Sequence, residues 1–148
     1  MEIVAYIVLG ALSLLFRYNL GLSSTCRNVG IQLSENDSGT GFQDAITPPS
    51  STKITLLTWV LVVGSIGYIV NAFGWGTAGV GIAIFIGVSI LFGATIIPKL
   101  SSSHFVKKIY VSLANRYANY IKVGDTVRAD AIKILIDKME TDYSDVLA

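Results

Sequence analysis

Ionisable residues are missing from the middle of this chain. From Ile54 to Pro98 there is no Asp, Glu, Lys, Arg or His, while Lys53 and Lys99 stand on either side of this run. Charged residues make up only 14% of the sequence, against about 25% in soluble domains. A run of 45 uncharged residues excludes an ordinary soluble fold and predicts an integral membrane protein.

Cysteine and histidine are almost absent as well. A single cysteine, Cys26, excludes an intramolecular disulfide and a cysteine-based metal cluster. The one histidine, His104, has no Cys, Asp or Glu at ligand spacing, which argues against a metal site. No catalytic motif, phosphate-binding loop or dinucleotide glycine pattern occurs. We therefore expect no catalytic residue, no metal ligand and no cofactor, and we predict that the chain is not an enzyme.

The uncharged run has the length of two membrane crossings. One crossing takes about 20 residues of helix, and helix propensity drops at Phe73-Gly74-Trp75-Gly76-Thr77. This predicts spans from Ile54 to Phe73 and from Gly76 or Thr77 to Ile97, where Pro98 ends the second. Trp75 suits the interfacial aromatic belt. The sequence therefore predicts a tight transmembrane hairpin over residues 54–98.

The N-terminus offers a third span. Ile3 to Phe16 is apolar but short for a crossing. If Arg17 extends toward the headgroups, Met1 to about Leu22 can cross the bilayer. The alternative is a cleaved signal peptide, but Glu2 and the lack of Lys or Arg before residue 17 do not fit a positive n-region. We favour a retained span over residues 1–22, followed by a polar loop over 23–53.

The basic residues predict the orientation. All eleven Lys and Arg residues fall in the 17–53 loop region or in the tail after Pro98, and none falls near the hairpin turn. Three spans put the loop and the tail on the same side, which the positive-inside rule makes cytoplasmic. We expect a multi-pass protein of a cell or inner membrane, with its N-terminus outside and both the loop and the C-terminus cytoplasmic. A two-span chain with residues 1–22 on the surface would also place the loop and the tail on the same side.

Small residues follow helical spacing in both hairpin helices. Such residues let another helix approach closely, so they are the predicted packing or interface positions: Gly64, Gly67, Asn71, Gly79, Ala83, Gly87, Ser89 and Gly93. Ile82, Ile86 and Ile90 lie on a different face, suited to lipid. The stripes can pack the hairpin on itself, or they can contact other subunits or line a pore.

The tail over residues 99–148 begins with an amphipathic pattern. Apolar residues recur every four positions from residue 105, and no acidic residue lies between Lys99 and Lys122. A basic amphipathic helix suits an anionic membrane surface or a partner protein, whereas nucleic-acid binding has little support. The predicted membrane-surface or partner-docking residues are Phe105, Lys107, Lys108, Ile109, Leu113, Arg116 and Tyr117.

A break follows this helix. Gly124 is a predicted helix C-terminal glycine, and Asp125 or Thr126 is the predicted cap of the next helix. That last helix would run from about Val127 to Thr141, although the run Ala131 to Ile136 also fits a strand. The predicted fold is all-α, with three transmembrane helices, an amphipathic interfacial helix and a short C-terminal helix.

The absence of a site favours a structural role. We predict a non-catalytic small subunit of a multi-protein membrane complex, which contacts lipid and other membrane subunits and acts as an accessory subunit. The alternative is a homo-oligomeric pore lined by the third helix. The order of segments from Gly79 to Asp125, a Gly/Ala-rich span, then an amphipathic helix and a Val-Gly-Asp turn, resembles the membrane part of small mechanosensitive channels. The overall topology is also similar to that of phage holins. Both resemblances imply a pore.

Overall fold

The computed structural model describes residues 2–34 and 46–148, with the backbone alone for Pro49 and Ser50. Helices make up 92% of these residues, which include no strand. The helices are α1 (Glu2–Leu33), α2 (Pro49–Phe73), α3 (Trp75–Thr95), α4 (Ile97–Ser101), α5 (His104–Val123), α6 (Thr126–Asp142) and α7 (Ser144–Leu147). In α1, α2 and α3, length and composition suffice to cross a membrane. The prediction of an all-α chain with three such helices is confirmed.

Helix α1 is longer than the sequence pattern suggested. It continues to Leu33, so the first part of the polar loop predicted for residues 23–53 is helical. Its buried side chains include Leu22, Cys26, Val29 and Leu33, which follow one another at three or four residues. This period places them on one face of a helix, and the polar residues Arg27 and Asn28 between them are exposed. Residues 35–45 of the predicted loop lie outside the described residues.

The hairpin turn lies at the predicted place. Helix α2 ends at Phe73 and α3 begins at Trp75, so a single residue, Gly74, joins them. Gly74 has a φ of 87°, a left-handed conformation that glycine adopts without steric cost. Helix α2 begins at Pro49, before the predicted Ile54, because proline is well tolerated in a first helical turn.

The tail contains four helices, α4 to α7, and the ends of α5 and α6 lie close to the predicted positions. Pro98 is the second residue of the short helix α4 rather than a simple stop. Gly124 ends α5 in the left-handed conformation, and the Asp125 side chain accepts a hydrogen bond from the Arg128 backbone N–H at the start of α6. Both capping predictions are confirmed. Residues 131–136 belong to α6, so the helical alternative for this run is the correct one.

The chain divides into two compact units. The first unit contains Met1–Gly21 and Pro49–Pro98, and the second contains Leu22–Pro48 and Lys99–Ala148. In the first unit, Leu9, Ile69 and Ala78 form a small buried cluster from the three long helices, with Phe73 packed against it. Most other apolar side chains of α2 and α3 are exposed, which is compatible with helices that are long and apolar enough to cross a membrane.

The second unit has a core of its own. Helices α5 and α6 pack against each other. The fully buried residues include Phe105, Ile109 and Leu113 from α5 and Ala129 and Met139 from α6. The end of α1 contributes the buried residues Cys26, Val29 and Leu33, and Ile46 is also fully buried. Burial of these side chains away from water stabilises the unit.

Candidate interaction surfaces

Three contacts set the register of α1 against α3 in the first unit. The Tyr6 hydroxyl donates to the Thr77 carbonyl oxygen over 3.4 Å, and the Ser13 hydroxyl donates to the Phe85 carbonyl oxygen over 2.7 Å. Further along, the Arg17 side chain lies beside Gly93. Residue numbers rise together in all three contacts, so α1 and α3 run in the same direction.

One face of α3 is covered by the chain itself. Ala78 and Gly81 are buried, and a Cβ atom placed on Gly81 would lie 2.8 Å from Leu9 Cδ1. Tyr6 and Ile69 atoms lie 3.6 and 3.7 Å from the same point. Gly81 therefore lets α1 and α2 approach α3 closely. Gly81 was not among the predicted packing residues, although Gly81, Phe85, Ser89 and Gly93 share the four-residue spacing of the predicted stripe.

Another face of α3 is uncovered. A Cβ atom placed on Gly79 or Gly87 would meet no atom within 4 Å, and Ala83 between them is exposed. On α2, Gly64 and Gly67 have equally open surroundings, and Asn71 is exposed. At these four glycines, the structure shows no close helix contact in the direction of a side chain within the first unit. We call the surface formed by Gly79, Ala83 and Gly87 the open α3 face.

Gly64 also borders a groove between α1 and α2. The groove has a volume of about 550 Å³ and is lined mainly by apolar side chains: Val4, Ala5, Val8, Val60, Leu61, Gly64, Ser65 and Tyr68. Aliphatic side chains of this groove are exposed in the isolated chain, Val4 to 61% and Val60 to 61%. The groove is therefore a second uncovered apolar surface of the first unit.

The last two residues of the predicted stripe lie elsewhere. Ser89 and Gly93 border a cleft that also includes Arg17 from α1. A Cβ atom on Gly93 would lie 2.7 Å from Arg17 Nη2 and 2.8 Å from Cζ. The structure thus divides the predicted stripe into the open α3 face and a separate pair of residues beside an arginine.

The predicted docking residues of the tail also fall into two groups. Phe105, Ile109 and Leu113 are 0% exposed, and α6 packs against their helix within the second unit. Lys107 and Lys108 are exposed, while Arg116 and Tyr117 are partly buried. The three apolar residues belong to the unit's own core, and a docking role stays a prediction for Lys107, Lys108, Arg116 and Tyr117.

Polar contacts join the elements of the second unit. The Arg116 guanidinium donates to the Thr47 carbonyl oxygen, and the Lys138 ammonium donates to the Leu33 carbonyl oxygen over 3.2 Å at the end of α1. The Tyr110 hydroxyl donates to Glu140 Oε1 over 2.6 Å. This hydrogen bond to the carboxylate raises the pKa of Tyr110. These contacts hold the core elements together, and none of them forms a reactive constellation.

Metal-binding groups are dispersed in the part of the chain that the structure describes. No three His, Cys, Asp or Glu side chains there come close enough to hold one ion. A shallow cavity of about 410 Å³ lies between the end of α1 and α6, and its lining includes Asp137, Lys138 and Asp142. Its mixed charges do not indicate a particular ligand.

The comparisons with known proteins add no relative. The chain matches no protein-family model, and it has no significant match to a curated protein or to a solved structure.

Proposed function

We propose that this chain is a three-span membrane protein that acts as a non-catalytic subunit of a membrane assembly. Its N-terminus and hairpin turn lie outside, and its loop and tail are cytoplasmic. It contacts other subunits through the open α3 face and through the groove between α1 and α2. Three apolar helices of sufficient length support residence in a membrane.

The uncovered glycines carry this proposal. Glycine lowers helix stability relative to alanine by about 1 kcal/mol, and in spanning helices it commonly allows close backbone contact with another helix. Gly81 makes such a contact within the chain, whereas Gly64, Gly79 and Gly87 have no atom near the Cβ position. A second helix from outside the chain would give these glycines the same role that Gly81 has inside it.

The composition of the purified assembly tests the proposal. Full-length chain with a C-terminal tag is solubilised in mild detergent and weighed by native mass spectrometry. We expect a complex that contains unlike polypeptides in fixed ratio with this chain. A monodisperse monomer that carries only detergent and lipid would contradict the proposal. A chain that alkaline carbonate removes from membranes would contradict membrane insertion itself.

A homo-oligomeric pore is the second candidate function. The open α3 face and the α1–α2 groove lie on different helices of one unit, and two unlike faces that bind each other generate a ring when the rotation closes. In that case, the same measurement would give an integral multiple of the chain mass. Purified protein in liposomes would then release an entrapped small dye, which an accessory subunit alone would not do.

The proposed orientation predicts a labelling pattern. Cys26 is 0% exposed, so the native thiol reacts poorly on either side and is replaced by serine. New cysteines are then placed at Gly76, which is exposed beside the turn, and at Val123, which is 81% exposed. In sealed right-side-out vesicles, we expect an impermeant maleimide to modify Gly76→Cys at once. Val123→Cys should react only after detergent is added, and the reverse pattern would overturn the orientation.

A further inference from the structure

Arg17 is a cation inside an apolar unit. Its Nε atom is buried and has no hydrogen-bond partner among the described residues. A buried polar group without a partner is costly, and a charged one more so. The residues before it in α1, Leu15 and Phe16, are apolar, whereas Tyr18 and Asn19 follow it directly. The arginine therefore needs an anionic or strongly polar partner.

The described part of the first unit provides no anionic partner within reach of Arg17. Glu2 is the one acidic residue in its described part, and it lies fifteen positions before Arg17 in the same helix. At 1.5 Å per residue, the two Cα atoms are about 22 Å apart, which is beyond the reach of both side chains. A counter-charge for Arg17 must come from outside this unit.

The side chain extends toward one end of the unit. Ser13 bonds to Phe85, so Arg17, one turn later, is level with about Ser89. Its guanidinium nevertheless lies against Gly93, one turn further toward the end of α3. Gly93 is two residues before Thr95, where α3 ends. Measured along the helix axis, the guanidinium is therefore about 3 Å before the end of α3. Arginine side chains near the ends of membrane helices extend toward the lipid headgroups.

A cleft beside the guanidinium has room for an anion. It has a volume of about 260 Å³ and is lined by Arg17, Ser89, Ile90, Gly93 and Ala94. The lack of a side chain at Gly93 keeps this space open, since any Cβ atom there would collide with the guanidinium. Ser89 adds a hydroxyl donor, and Ile90, which is 63% exposed, offers an apolar surface alongside.

We infer that Arg17 and Ser89 bind the phosphate group of an anionic membrane lipid. A guanidinium donates two parallel hydrogen bonds to phosphate oxygens, and the serine hydroxyl can donate a third. The acyl chains then lie along the exposed apolar surface of α3, with Ile90 nearest the headgroup. This site rests on the proposed insertion in a bilayer, but it does not depend on which subunits assemble with the chain.

Lipid retention by the full-length protein tests the site. Native mass spectrometry follows binding of phosphatidylglycerol to detergent-solubilised protein. We expect Arg17→Gln to weaken binding about tenfold, which corresponds to the loss of one charge-assisted contact. Gly93→Val should weaken it similarly while it keeps the charge, because the new side chain displaces the guanidinium. Arg17→Lys should fall between these values. Arg27→Gln, at an exposed position of the same helix, should bind like the wild type.

Other outcomes separate the sources of the anion. Inorganic phosphate at millimolar concentration should not displace the lipid; if it does, the site binds free phosphate and the lipid assignment is wrong. Equal lipid binding by the wild type, Arg17→Gln and Gly93→Val would overturn the site. So would cross-linking of a photoreactive residue at position 90, which borders the cleft and keeps Arg17 in place, to a co-purified polypeptide instead of lipid. All variants are first shown to resist carbonate extraction, so failure of membrane insertion is recognised separately.

Discussion

Replacing Phe105 with alanine is expected to lower the free energy of unfolding of the second unit by about 3–5 kcal/mol, the cost of a phenylalanine truncation in a packed core. Phe105 is 0% exposed at the start of α5, as are Ile109 and Leu113 further along. The deleted ring leaves a cavity as well as losing its transfer free energy, and neighbouring side chains fill such a space only in part. A loss of this size is comparable to the whole stability of a small unit.

Proteolysis across a urea series measures this effect in the full-length protein. Cleavage within residues 99–148 is followed, and Phe105→Ala should be cut at much lower urea than the wild type. Val111→Ala is the matched control, since Val111 is on the same helix and 55% exposed. The control should change stability by less than about 0.5 kcal/mol. If Phe105→Ala resists proteolysis normally but no longer binds anionic liposomes, the apolar stripe of α5 faces lipid and the core assignment is wrong.

Helices α2 and α3 and the turn between them could be predicted because they depend on local features. Absence of charge over residues 54–98 and the length of a membrane crossing suffice for two helices, and Gly74 between Phe73 and Trp75 marks the turn. The continuation of α1 to Leu33 was harder to recognise. Its polar residues outnumber its apolar ones, and the apolar ones are stabilised by contacts with distant parts of the chain. Tertiary packing of this kind is not visible in local composition.

Local sequence also did not identify what covers the amphipathic stripe on α5. The spacing of Phe105, Ile109 and Leu113 predicted a face that needs cover, and the helix is present. A stripe of this kind is equally compatible with lipid, a partner or another helix of the same chain. Only the packing of α6, with Ala129 and Met139 buried opposite, distinguishes the last possibility.

The faces of α3 could not be assigned from sequence either. Gly79 and Gly81 are two residues apart and therefore about 200° apart around the helix. Both are small, and both belong to four-residue repeats. Contact with Leu9 makes Gly81 internal, and the open surroundings of Gly79 make it external. The sequence predicted that small residues matter in this helix but not which of them the chain itself covers.

Substitutions at these two glycines are expected to have different effects: one at Gly81 should impair folding, and one at Gly79 should impair assembly. Gly81→Leu is expected to destabilise the first unit by about 3 kcal/mol, the upper range for overpacking a tight site. A Cβ atom already lies 2.8 Å from Leu9 Cδ1, with Tyr6 and Ile69 close by, so three more carbon atoms cannot fit by moving one side chain. Gly81→Ala should cost less, because the end of Leu9 is flexible. Resistance of the solubilised protein to unfolding in sodium dodecyl sulfate measures both variants.

Gly79→Leu and Ala83→Leu should leave the stability of the first unit unchanged and should disrupt the assembly instead. They place the same bulk on the open α3 face, where nothing within the chain is close to Gly79, so resistance to unfolding should stay at the wild-type value. The proposed partner helix, however, would be held away by several ångströms, and most of its van der Waals contact would be lost. We expect native mass spectrometry to shift from the assembly to the single chain. Gly10→Leu, at an open glycine of α1 that belongs neither to the open α3 face nor to the groove lining, controls for a general effect of leucine. If Gly79→Leu leaves the assembly intact, the open α3 face contacts lipid, and the assembly must form through the α1–α2 groove instead.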